Sequence, residues 1–159
     1  MRIKETKVYQ FDELTEKAKE KALEELYDIN VDYDWWEGVY EDAKEIGLKL
    51  TGFDIDRGSY CKGELIDDLH SVILAIIRNH GKETETYKTA KEFEDKLVFN
   101  EDNEIENLEE LEDDFLKAIC EDYLVMLRNE YEYFTSEEAI VETIRTNEYE
   151  FTADGKLAY

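Results

Sequence analysis

Residues 100–134 read NEDNEIENLEELEDDFLKAICEDYLVMLRNEYEYF, and the rest of the chain is organised around them. From Glu101 to Asp114 there are nine acidic residues and no Lys or Arg. An amphipathic pattern follows. On a wheel of about 100° per residue, Leu108, Leu111, Phe115, Ile119, Tyr123 and Met126 share one sector, with Glu110, Asp114, Lys117, Glu121 and Arg128 opposite, which predicts a helix packed on one side. Continuous from Asn107 to Phe134, it would be about 40 Å long at 1.5 Å per residue.

The 159 residues predict a single domain spanning 1–159, long enough to bury a core. A hydrophobic content of 42% with 13% aromatics separates the chain from disordered acidic sequences, which lack large apolar side chains. The formal net charge of -24 repels polyanions, so direct binding to nucleic acid or to an acidic membrane is not expected. No apolar run is long enough for a signal peptide or a membrane span, and a cytoplasmic location in a host cell is expected. Cys61 and Cys120 are 59 positions apart with no CxxC spacing, and are read as two buried free thiols.

Outward from the central stretch, periodicity gives the remaining elements. Lys4–Phe11 alternates as a short strand, and Asp12 is placed as the cap of a helix over Glu13–Tyr27 with Leu14, Ala18, Ala22 and Leu26 on one face. Asp32 or Asp34 is placed as the cap of a second helix through Trp35, Trp36, Val39, Tyr40 and Ala43 to Gly47, with one indole in the core and the other partly exposed. Leu48–Arg57 and Ser59–Ile66 alternate as a hairpin whose pattern slips at Thr51-Gly52, the signature of a bulge. Asp67 and Asp68 are placed as the cap of a core helix from Leu69 to Asn79, and a more polar helix follows over Glu83–Phe99. Thr135–Glu138 opens a last helix, and Asp154-Gly155 marks a tight turn. The expected fold class is α+β, one small antiparallel sheet of three to four strands packed with five to six helices.

The residues name no reaction. Neither acidic cluster fits a calcium loop: Leu65 and Leu111 stand where the bidentate Glu belongs, counting from Asp54 and Asn100. His70 and His80 lack HxxxH or HExxH context, and no phosphate-binding glycine loop or nucleophile elbow occurs. Carboxylates are too abundant for any pair to stand out as a dyad, and those on solvent faces lack the apolar pocket that would shift a pKa. The chain is therefore expected to be non-catalytic, with no cofactor and no metal.

Charge remains as the signal. Duplex DNA carries one phosphate per about 1.7 Å of axis, and an acidic surface of similar density can occupy a basic cleft. The candidate contact residues are Glu101, Asp102, Glu104, Glu106, Glu109, Glu110, Asp113, Asp114 and Glu121, with Trp35, Tyr131 and Tyr133 as aromatic anchors. The expected partner is a basic, nucleic-acid-processing host protein. The alternatives are a pocket for a small nucleotide-type signal, which would need Lys49, Arg57 and Lys62 to converge, or neutralisation of a toxin protein.

The segments FDELTEKAKEKA (11–22), NVDYDWWEGVYEDAKEIGL (30–48), GFDIDRGSYCKGEL (52–65), HGKETETYKTAKEF (80–93) and EYEYFTSEEAI (130–140) resemble a family of small acidic bacteriophage and prophage proteins, often loosely labelled antitoxins. In some relatives the region between Gly52 and Gly63 holds a longer Gly- and Ser-rich insert. The resemblance implies a phage accessory protein that inhibits a host defence such as a restriction, CRISPR or other nuclease system.

Overall fold

A computed structural model describes residues 7–158. Strand β1 (Tyr9–Gln10) leads through a 3-10 turn (Phe11–Glu13) to helices α1 (Glu16–Glu25) and α2 (Glu37–Glu45). The hairpin strands β2 (Leu48–Asp54) and β3 (Tyr60–Leu65) follow, then helices α3 (Leu69–Asn79), α4 (Glu85–Lys96), α5 (Leu108–Phe134) and α6 (Glu137–Thr146), and strand β4 (Glu150–Phe151). The fold is α+β, with six helices among the described residues.

The expected single sheet of three to four strands is corrected to two antiparallel pairs, β1 with β4 and β2 with β3. Four strands are present among the described residues, but β1 and β4 are two residues each and pair with one another, Tyr9 opposite Phe151. They sit at opposite ends of the sequence, so no local pattern reveals that pairing. The expected strand over Lys4–Phe11 is reduced to Tyr9–Gln10; its residues Lys4, Glu5 and Thr6 lie outside the described residues.

The chain divides into two compact units. The first joins the segment ending at Trp35 to the segment beginning at Glu130. Its core is Phe11, Leu14, Ala18, Ala22, Ile140, Ile144 and Phe151, with Phe11 edge-on to Phe151 at 6.2 Å. The small Ala18 and Ala22 let α1 and α6 approach each other, as the i, i+4 spacing requires. Asp12 does not cap α1: the side chain of Thr15 accepts the amide of Ala18 instead, and Asp12 takes both guanidinium bonds of Arg145, at 2.6 and 3.2 Å.

The second unit runs from Trp36 to Asn129. Here α2 starts at Glu37 without a side-chain cap, so neither Asp32 nor Asp34 fills that role. Trp36 meets Phe53 edge-on at 5.6 Å, and Trp35 and Trp36 are both half-buried. Gly47 takes φ +87, where an added Cβ would press on Asp67 and Val72, and so ends α2 against the start of the hairpin. The hairpin register shifts between Leu50 and Gly52, the expected bulge. Leu69, Val72, Ile73 and Ile76 of α3 are buried with Phe93 of α4 and Phe115, Ile119, Tyr123 and Leu127 of α5. Helix α4 is shorter than the expected Glu83–Phe99, opening on Thr84, whose hydroxyl accepts the amide of Tyr87.

Asp68 caps α3, accepting the amide of Ser71 at 2.9 Å and its hydroxyl at 2.8 Å. Those bonds hold its carboxyl below the usual carboxylate range. Replacing Asp68 with Ala is expected to destabilise the protein by about 1 kcal/mol. A urea titration checks this, and the loss of a bare surface charge would move the midpoint far less. Among the described residues no helix is long and apolar enough to cross a membrane.

Candidate acidic interface

The carboxylates of the central stretch are held by local chemistry. The Asn100 side-chain oxygen accepts the amides of Asp102 and Glu104, each at 2.9 Å, and Phe99 bridges to Ile105, closing a tight loop. Asn103 sits at φ 61, a conformation that Asn tolerates better than most residues. Glu101, Asp102 and Glu104 therefore project from a braced turn rather than from a slack linker. Glu109 and Glu110 stand in the first turn of α5, where the unpaired amides favour negative charge.

All nine candidate carboxylates, Glu101, Asp102, Glu104, Glu106, Glu109, Glu110, Asp113, Asp114 and Glu121, are exposed. None forms an ion pair with a described residue. They do not make a single stripe. On the helical wheel Glu110, Asp114 and Glu121 fall within about 40°, with Lys117 and Arg128 beside them, whereas Glu109 and Asp113 lie on the flank. Asp113 faces the groove beneath the hairpin. The buried sector of α5 is also turned from the expected one: Cys120 and Leu127 are buried, whereas Leu108 is 39% exposed and Met126 only half-buried.

The aromatic candidates belong to the other unit. Trp35 and Tyr131 pack ring to ring at 5.4 Å and are both half-buried, so they brace one another. Tyr133 is 49% exposed and lies 5.8 Å from the ring of Phe134. Tyr27 and Tyr33 in the same unit are also exposed.

Two further features were not legible as sites in the sequence. Around His80, residues from four helices or their ends form a polar network. Its Nδ1 lies 2.5 Å from the Thr86 hydroxyl and its Nε2 lies 3.4 Å from Asp42, close but without hydrogen-bond geometry. Asp42 also accepts the Tyr123 hydroxyl at 2.9 Å. The His80 contact, reinforced by Tyr123, holds the Asp42 carboxyl below the usual range against the opposing effect of burial. Burial pushes the Tyr123 phenol up, with Asp42 adding to it. Asp122, which accepts the Thr89 hydroxyl at 2.5 Å, is pushed up by burial and by its neighbours Glu85 and Glu121. Asp42, His80, Thr86 and Asp122 line a concavity of about 450 Å³ together with Val125 and Met126. Sequence showed a lone His after a core helix and no partner within range.

The second feature is a groove of about 590 Å³ between β3 and α5, lined in part by Tyr60, Cys61, Lys62, Asp113, Lys117 and Cys120. Arg128 reaches it by donating to the Ser59 hydroxyl. The three cations expected to converge on a nucleotide do not. Lys62 lines this groove and lies over the Tyr60 ring, Lys49 pairs with Glu64 at 3.9 Å beside a different cleft, and Arg57 lines neither. Among the described residues no group of three or more His, Cys, Asp or Glu is placed to hold a metal ion. No protein-family model, curated protein or solved structure matches the chain.

Proposed function

We propose that the protein is an inhibitor that occupies the nucleic-acid-binding surface of a basic protein, its exposed carboxylates standing in for phosphates. The observation that carries this reading is the run Glu101–Asp114. Its carboxylates are carried on a braced loop and a helix, nearly all open to solvent, and unpaired with any described residue. Carboxylates left without cations are available to a partner's Lys and Arg, and a net charge of -24 steers such a partner from a distance. Tyr133 offers an exposed aromatic contact of the kind that anchors interfaces. The resemblance to small acidic phage proteins supplies the setting, a host defence nuclease as target.

The test is capture of host proteins on the tagged chain, repeated with Glu101→Gln, Asp102→Asn, Glu110→Gln and Asp114→Asn combined. A nucleic-acid-processing partner should be displaced by oligonucleotide and by salt, and the combined variant should slow its association about tenfold or more. All four side chains are exposed, so the fold tolerates the change. A partner retained unchanged by the variant and at high salt would mean that another surface makes the contact.

A further inference from the structure

The groove between β3 and α5 brings together two sulfurs that the sequence separates by 59 positions. On β3, Cys61 and Gly63 are two residues apart and share the half-buried face that alternates with exposed Tyr60, Lys62 and Glu64. Gly63 has no side chain, and a Cβ there would lie 3.4 Å from the Sγ of Cys120, so the α5 sulfur nestles against this face of the strand beside Cys61. The two thiols influence one another's ionisation: Cys61 lowers the Cys120 pKa, and Cys120 together with burial raises that of Cys61. Cys61 is half-buried and Cys120 buried, and both border an open groove of about 590 Å³. A small oxidant therefore has a path to the pair.

We propose that Cys61 and Cys120 form a site of reversible oxidative modification, closing to a disulfide within the chain when a hydroperoxide enters the groove. In the first step the Cys120 thiolate attacks a peroxide oxygen. The O–O bond breaks, Cys120 becomes a sulfenic acid, and the leaving oxygen takes up a proton as water when the oxidant is hydrogen peroxide. In the second, the Cys61 sulfur loses its proton and attacks the Cys120 sulfur. The S–O bond breaks, and hydroxide leaves with that proton as a second water. Two thiol hydrogens and two electrons pass to the peroxide, and the two sulfurs share the new bond. The cross-link fastens the hairpin to α5 and is undone by a thiol reductant. Placing the two sulfurs side by side favours this outcome over further oxidation, because the second thiol intercepts the sulfenic acid.

The experiment treats the reduced full chain with hydrogen peroxide and reads intact mass, free thiols and the peptides of a non-reducing digest. The expected product is a monomeric chain lighter by two hydrogens, with both thiols lost to maleimide, a Cys61–Cys120 linked peptide, and full recovery in dithiothreitol. The Cys61→Ser variant should instead accumulate a Cys120 sulfenic acid that dimedone traps. Oxygen addition without a linked peptide in the native chain would overturn the proposal. So would cross-links between two chains, or two thiols left unreacted when a surface thiol of a control protein is consumed. If Cys61→Ser fails to fold, the linked peptide in the native chain decides alone.

Discussion

Replacing Phe115 with Ala is expected to cost about 3–5 kcal/mol of stability, while Leu108→Ala, on the same apolar stripe of the sequence pattern, costs less than about 1 kcal/mol. Phe115 is fully buried and packs edge-on to Phe93 of α4 at 5.4 Å and 75°. Its removal forfeits the transfer of a whole ring from water, the aromatic pair, and the contacts of every side chain lining the vacated space. Leu108 stands at the first turn of α5 and keeps 39% of its surface in water. Much of what Ala would lose there was never gained. Urea unfolding of the two variants with unchanged m-values would measure both losses. Equal losses would mean that α5 is packed as the apolar stripe suggests and not as the structure has it.

That contrast shows how far the sequence can be read. The period of α5 was legible because apolar residues recur every three to four positions over 27 residues, but the centre of its buried face was not. Cys120 and Leu127 sit on the edge of the apolar pattern and become buried because other elements cover that flank, a tertiary effect with no local trace. The hairpin, its slip near Gly52 and the Asp68 cap were readable for the opposite reason, since each is fixed within a few residues. Asp12 looked like a cap and became a partner of Arg145, 133 positions away, because Thr15 meets the same need three residues later. The exposed carboxylates were readable as exposed. Their lack of cationic partners required the fold, as did the meeting of Cys61 with Cys120 and of His80 with Asp42 and Thr86.

The His80 network makes the second large prediction, because its two aspartates respond to acid in opposite directions. Asp42 is held below its ordinary value of 3.8 by His80 and then by Tyr123, with burial working against them. A depressed carboxyl stabilises the fold at every pH above 3.8, and that contribution fades as pH falls through the lower folded value. Asp122 is raised by burial, against the opposing Thr89 hydrogen bond, with Glu85 and Glu121 adding smaller upward pushes. Its ionisation therefore weighs against the fold above the raised folded value, and the penalty disappears as pH drops below 3.8. Asp42→Ala leaves the Tyr123 hydroxyl without its acceptor and is expected to cost about 1–3 kcal/mol at pH 7. The Asp42 side chain is 37% exposed, so water replaces part of the lost bonding and the value should fall within that range rather than above it. Asp122→Asn keeps an oxygen for the Thr89 hydroxyl while removing the charge, and is expected to gain about 0.5–2 kcal/mol at pH 7. Denaturation curves from pH 7 to pH 3 should show both differences shrinking toward acid, one from each side of the native line. If instead both variants lose stability at pH 7, the packing of the Asp122 carboxylate against Thr89 outweighs the burial of its charge, and the opposed pair is not what sets the acid response.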